Sequence, residues 1–247
     1  MSAQIVDPEV QGLEKKLDAL DEEKIVIRSE LDLLKLSWIR KEMKAVGLPV
    51  SELTGQIVEH AAMILSYNEA HEQANWVEHI ILPAITAGSV SRTNNFRGDP
   101  LIESGTAVEA DYFLKTMKVD STFAYDGFGY DRGHMAPSAD FKWSKIALSE
   151  SYFYSNMSPQ VGDFNRLKWA ELEGWLRGYV EANGTHLIIV TAPVLQDDLA
   201  VIERVVNKIS IPKYYIKVAL DLTNDRGIGF VMPNEKLPLP IEAYAVT

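Results

Sequence analysis

The run YDRGHMAPSAD, residues 130–140, sets Asp131, Arg132, Gly133 and His134 side by side, with no apolar stretch behind them that would bury the histidine. A lone histidine is more often a structural or surface residue than a catalyst, and the same plain reading covers His60, His71, His79 and His186. His134 gains chemical weight from the residues downstream of it. FYSNMSPQ (153–160) brings Asn156 ahead of a proline turn, and FNRLKWAELEGWLRGYVEANG (164–184) begins with Asn165 and carries Glu173 eight residues later. Eight helical positions turn by about 80° net and rise about 12 Å, so Asn165 and Glu173 share one side of a helix, two turns apart. They cannot both grip one ion closely. The spacing suits an ion held directly by one neutral amide oxygen and through water by a carboxylate, as suits Mg²⁺, which prefers oxygen ligands and keeps several waters. Taken singly, Asn165 resembles a helix cap and Glu173 a solvated helical face.

The elements that must position these residues are legible as patterns. Trp169, Leu172, Leu176 and Val180 recur at helical spacing, and the helix ends on Asn183 and Gly184. HLIIVTAP (186–193) reads as a buried strand from its β-branched content, and YYIKVALDLTNDRGIGFVMP (214–233) as a hairpin turning at 224–227. QIVEHAAMILSYN (56–68) has an apolar run without a clean period and fits a strand or a short helix. Ahead of these, residues 9–44 place Val10, Leu13, Leu17, Leu20, Ile27, Leu31, Leu34 and Trp38 at alternating spacings of three and four, with Lys24 in the one gap. That heptad stripe predicts a coiled-coil helix over 1–46 that joins two chains as a homodimer. The alternative is a helix folded back on its own domain, with Lys24 snorkelling to water. Gly47 and Pro49 break the helix, and residues 47–247 read as one mixed α and β domain.

Composition bounds the function. The chain has 247 residues, 47% hydrophobic, no cysteine and a formal net charge of −11. Disulfides, thiolate metal sites and cysteine nucleophiles are therefore excluded. Bulk electrostatic coating of nucleic acid is excluded too, and even residues 130–182 hold six Lys and Arg against seven Asp and Glu. A polyanion site has to be a small positive cleft, helped by a metal ion. MSAQIVDPEV lacks the basic region and apolar core of a secretion signal, and no run of 18 apolar residues exists, so no membrane association is expected and the compartment stays open.

DRGHMAPSAD, SNMSPQ and FNRLKWAELE together resemble the DNA/RNA non-specific endonucleases of the ββα-metal type, the family that includes endonuclease G. YNEAHEQANWVEH, SRTNNFRGDP, VTAPV, IPKYYIKV and VMPNEKLP extend the resemblance in order from about residue 58 onward, and the resemblance leads one to expect a further segment after AYAVT. The resemblance implies an α+β fold: a ββα-metal nuclease domain with a mixed or antiparallel sheet and flanking helices. It also implies that His134 is the general base, that Asn165 is the one direct protein ligand of Mg²⁺ or substituting Mn²⁺, and that Glu173 reaches the ion through water. Arg92 corresponds to a phosphate-contacting arginine, with Arg97 the competing choice; Arg132 belongs to the motif, and Asn156 supports the histidine and the scissile phosphate. The implied activity is hydrolysis of DNA and RNA to 5′-phosphate products, with an inhibitor protein as a further expected partner. An inactive or inhibited nuclease-fold regulatory protein and a small-molecule phosphodiesterase are the alternatives. From an ordinary histidine pKa of about 6.5, roughly three-quarters of His134 is expected neutral at pH 7.

Overall fold

The computed structural model describes residues 7–83, 88–112, 115–120, 123–125, 130–203 and 207–246. Residues 1–6 of the expected 1–46 helix lie outside these. The helix itself, α1, runs Pro8–Val46. Its first turn is set by Asp7, whose carboxylate accepts from the Glu9 N–H at 2.8 Å, and by Pro8 at a position whose missing N–H costs nothing. It ends where Gly47 takes a φ of 95°, open to glycine without strain.

Strands β1 (Gln56–Glu59), β2 (Met63–Asn68) and β3 (Gln73–Ile81) form a meander. The segment without a clean period, 56–68, is thus two strands and a turn. Two short strands come next, β4 (Lys115–Met117) and β5 (Phe123–Tyr125), and then β6 (Tyr130–His134) and β7 (Met157–Val161). The later strands are β8 (Leu187–Pro193), β9 (Val201–Glu203), β10 (Lys208–Ser210), β11 (Tyr214–Asp221), β12 (Arg226–Pro233) and β13 (Ala245–Val246). The main sheet has seven strands in the order β1-β2-β3-β8-β11-β12-β13, and every pairing in it is antiparallel. In β11 the residues Tyr215, Lys217, Ala219 and Asp221 are buried and those between them are not, the period-two pattern of a strand with one face covered.

The helix Ala170–Asn183 lays Leu172, Leu176 and Val180 into the core with Trp169, Tyr215, Phe230 and Met232. It closes on Gly184 in the left-handed conformation. The stretch just before it, Phe164–Trp169, is wound as a π-helix. Regular α-helical geometry, from which Asn165 and Glu173 stand about 12 Å apart, therefore does not hold across this stretch.

Only the C-terminal part of α1 meets the domain. Leu36, Ile39 and Met43 are buried in the common core, although they precede the break at Gly47. Lys44 pairs with Glu59 at 2.7 Å, and Trp38 meets His186 edge-on at 6.3 Å. Upstream of Leu36 the heptad stripe stays in solvent, with Leu13, Leu17, Leu20 and Leu34 each more than 60% exposed.

Candidate active site

His134 is the last residue of β6 and stands opposite Met157 of β7. The pairing is tight. A Cβ on Gly133 would run into the side chain of Gln160, so the glycine of the motif leaves the space that this buried side chain fills. Behind β7, Phe164–Trp169 and the helix Ala170–Asn183 complete a strand–strand–helix unit. This unit brings residues far apart in sequence to one groove of about 930 Å³, lined among others by Arg92, Glu109, Asp131, Arg132, His134, Asn165, Arg166 and Glu173.

Within the groove His134 is 8% exposed, flanked by Tyr152 at 5.0 Å and Phe96 at 5.7 Å between ring centroids. Its Nε2 is buried without a hydrogen-bond partner among the described residues. Burial, and then the Arg92 and Arg132 guanidiniums, push its pKa down to about 3. The imidazole is accordingly neutral throughout the physiological range, a correction to the three-quarters expected from an ordinary histidine. The cause is largely tertiary: the two aromatic walls and Arg92 come from other parts of the chain and join Arg132 of the same run.

Asn165 is fixed by Asp131, whose Oδ2 accepts from the Asn165 Nδ2 at 2.9 Å. The same carboxylate pairs with Arg166 through both oxygens, at 2.8 and 2.5 Å. Tying down the amide nitrogen leaves the amide oxygen of Asn165 as its remaining polar atom. Glu173 is half-buried in the groove wall. Burial raises its carboxyl to about 7, against the opposing pull of Lys217. Lys217 itself is buried beneath the site, donating to Thr191 Oγ1 at 2.6 Å and lying 4.5 Å from the Trp169 ring centroid. Burial draws its pKa down to about 8.

Arg92 lines the groove and donates from Nε to the Tyr152 hydroxyl at 3.1 Å. Its competitor Arg97 is engaged elsewhere, bonded to the Ser149 carbonyl at 2.9 Å and stacked 4.1 Å over Phe153. Arg132 sits over Phe96, its guanidinium carbon 3.7 Å from the ring centroid. Asn156 stands apart from these. It is fully buried, and its amide closes on main chain only: Oδ1 accepts from Ala136 N–H at 2.9 Å, while Nδ2 donates to the carbonyls of Ala136 at 2.9 Å and Ser151 at 2.8 Å. It buttresses the turn after His134 and does not line the groove.

No group of three or more His, Asp or Glu that could hold a metal is found among the described residues. The groove nevertheless fits a hard divalent cation of the kind that needs few protein ligands. The Asn165 amide oxygen and the Glu173 carboxylate, both in the groove lining with His134, are oxygen donors of that kind.

The family model of the DNA/RNA non-specific endonucleases matches residues 40–247. The chain belongs to this endonuclease family. A protein named Nuclease from Syncephalastrum racemosum is 34% identical over 210 residues, covering 76% of this chain and 60% of that protein. Nuclease C1 of Cunninghamella echinulata var. echinulata is 30% identical over 194 residues, covering 73% and 72%. The chain thus spans less than two thirds of the first relative's length. A chain of the crystal structure of the EndoG/EndoGI complex shares the fold, with a TM-score of 0.65 at 24% identity over 81% of this chain and 82% of that one. The expected α+β ββα-metal architecture with an N-terminal helix is borne out, and the sheet is antiparallel rather than mixed.

For a member of this endonuclease family, three residues of the site went unread in the sequence. Asp131 orients Asn165; its signal was present, as the first residue of the Asp-Arg-Gly-His run. Lys217 sits beneath Glu173, and a lysine at an inward position of the apolar strand YYIKVALD was a visible anomaly. Arg177 pairs with Asp140 at 2.7 Å, and Asp140 also holds His79 at 2.9 Å. Nothing local to Arg177 or His79 distinguished them from surface or core residues.

Proposed function

We propose that this chain is a divalent-cation-dependent endonuclease that hydrolyses phosphodiester bonds in DNA and RNA with little regard to base sequence. The observation that carries the reading is the gathering in one groove of two arginines, an amide oxygen, a carboxylate and an imidazole whose Nε2 has no hydrogen-bond partner among the described residues. His134 accepts the proton of a water that attacks phosphorus, the P–O3′ bond breaks, the departing O3′ takes a proton from solvent water, and the products carry 5′-phosphate and 3′-hydroxyl ends. Arg92 and Arg132 lower the negative charge that would repel the incoming nucleophile. Asn165 and Glu173 would hold the cation, Mg²⁺ by the oxygen-only character of the donors, Mn²⁺ substituting. When bound it supplies further neutralisation of the phosphodiester. These groups address the backbone and no base edge, which accounts for indifference to sequence.

The test is digestion of plasmid DNA and total RNA by the full chain, with Mg²⁺ and with EDTA, beside His134→Ala. Cutting of both substrates only with metal, and loss of about 10²- to 10⁴-fold in the variant, is expected. A folded protein that binds Mg²⁺ but cuts neither polymer overturns the reading in favour of a small-molecule phosphodiesterase or an inactive scaffold.

The domain division is read as α1 through residue 46 for assembly and 47–247 for catalysis, with α1 joining two copies as a homodimer. The exposed heptad stripe supports this reading. Sedimentation with and without residues 1–30 tests it, since that cut spares the buried Leu36, Ile39 and Met43. An inhibitor protein is a further partner in this proposal, by likeness to the fold of the EndoG/EndoGI complex. Among the described residues no helix is long and apolar enough to cross a membrane.

A further inference from the structure

Helix α1 carries two faces with different duties. The residues docked on the domain, Leu36, Ile39 and Met43, point about 140° around the helix from Leu31, Leu34 and Trp38, taking about 100° per residue. Docking therefore leaves the heptad stripe free, and the stripe is in solvent: Val10 is 50% exposed, Leu17 64%, Ile27 55% and Leu31 46%. A row of large apolar side chains on a projecting helix is stable in water when another chain covers it.

Charge decides which way that chain runs. With Val10, Leu17, Lys24, Leu31 and Trp38 at heptad position a and Leu13, Leu20, Ile27 and Leu34 at d, the flanking g and e positions fall on Glu9, Glu14, Lys16, Asp21, Glu23, Arg28, Glu30 and Lys35. In a parallel, in-register pair each g residue faces the e residue five places on in the other helix. Lys16 then meets Asp21, Glu23 meets Arg28 and Glu30 meets Lys35, all attractive, with Glu9 against Glu14 the one repulsive contact. Antiparallel pairing opposes g to g and e to e. The two antiparallel registers that keep most of the seam apolar set Glu23 against Glu30, or against its own counterpart. In a parallel, in-register pair Lys24 faces its own counterpart, a contact that costs stability, and each ammonium reaches out toward Glu23 of the second copy; an antiparallel partner presents Leu20 or Ile27 instead, so the g–e charge pairs and not Lys24 carry the parallel choice.

We propose that a second copy of this chain covers the α1 stripe as a two-stranded, parallel, in-register coiled coil, with the Glu23–Arg28 pair and its neighbours Lys16–Asp21 and Glu30–Lys35 fixing direction and register. The proposal rests on the homodimer reading above and adds its geometry. Because each helix enters its own domain at its C-terminal end, both catalytic domains stand at the same end of the assembly. A long nucleic acid held in one groove is then presented to the other at raised local concentration.

Two measurements on the full chain test it. The first is the dimer dissociation constant of Glu23→Lys, Arg28→Glu and the double variant, by sedimentation at low salt. Residue 23 has no charged residue three or four places away, so the helix itself is little affected. Each single variant is expected to weaken the dimer on the order of ten-fold and the double variant to restore it. A tighter dimer from Glu23→Lys overturns the parallel orientation while leaving the dimer standing. The second is Leu17→Cys, unambiguous because the chain has no cysteine. Parallel pairing gives a covalent dimer in a glutathione redox buffer; antiparallel pairing separates the two thiols by about 15 Å or more and gives none. A monomer for the parent protein at micromolar concentration defeats the homodimer reading itself. A trimer or tetramer, with Ile25, Val26 and Leu33 (all more than half exposed) covered as well, overturns the two-stranded geometry.

Discussion

Replacing Asn156 with Ala separates two roles for this residue, contact with the substrate and support of the histidine turn. Its three hydrogen bonds all go to main chain and it has no exposed surface, so water cannot take over the bonds when the amide is removed. Each buried neutral bond is worth about 1 kcal/mol net, and carbonyls left unpaired in the interior raise the cost, so about 3 kcal/mol is the expected minimum. In a domain of this size that lowers Tm by about 6–12 °C. The assay is thermal unfolding monitored by circular dichroism, beside kcat/KM on plasmid DNA at about 20 °C, well below the unfolding range of an ordinary domain. A large fall in Tm is expected, with activity falling about ten-fold through the displaced turn, the cost of a small misplacement of a reacting group. Asn156→Asp is a second check: it keeps an acceptor for Ala136 N–H but sets carboxylate oxygen against two carbonyls, and it should lose at least as much. A Tm within about 1 °C of the parent, with activity down by about the hundred-fold or more of a lost transition-state contact, would refute the argument and put the amide on the substrate.

The same geometry sets three further outcomes. The His134 ring resonances should stay flat in an NMR titration from about pH 8 to 5, because the folded pKa lies at about 3; an inflection near the ordinary value of about 6.5 would contradict the effect of its burial and of the two nearby arginines. The sign for stability is set by the same shift: below about pH 6.5 the unfolded chain takes up this proton and the native one does not, so this residue withdraws about 1.4 kcal/mol per pH unit as the solution is acidified, and His134→Gln should shallow the slope seen in urea unfolding. With Glu173 held at about 7, its ionised fraction drops from about nine-tenths at pH 8 to about one-tenth at pH 6, so calorimetric Mg²⁺ affinity should weaken about ten-fold between them, and equal affinities would exclude this carboxyl from the cation site. Asp131→Ala frees the Asn165 amide and should weaken Mg²⁺ binding by about 10- to 100-fold with Tm little changed, since Asp131 lies at the groove surface; unaltered affinity would show that Asn165 needs no orienting partner.

Much of this chain was legible before folding because the relevant signals are local. The strand at 186–193, the hairpin at 214–233 and the helix closing at Gly184 arise from side-chain period and turn chemistry, which neighbours along the chain impose on one another. The heptad helix is of the same kind. The ambiguous stretch at 56–68 was not, since the burial of every residue of β2 removes the alternation that marks a half-exposed strand.

By itself, then, the sequence determined the chemistry available: an imidazole beside an arginine, an amide and a carboxylate downstream, no thiol, and a stripe of leucines at the N-terminus. Only the tertiary structure decided how those groups behave. It placed Arg92 and not Arg97 in the groove, turned Asn156 onto the main chain, aimed Asn165 through Asp131, and docked α1 by a face other than its heptad stripe. It also made His134 neutral and Glu173 reluctant to ionise. The physical reason is common to all of these. Residue type and spacing act through bonds and turns within reach of the local chain, whereas burial, charge proximity and hydrogen-bond partnership are set by segments tens of residues away that meet only when β6, β7 and the helix behind them pack together.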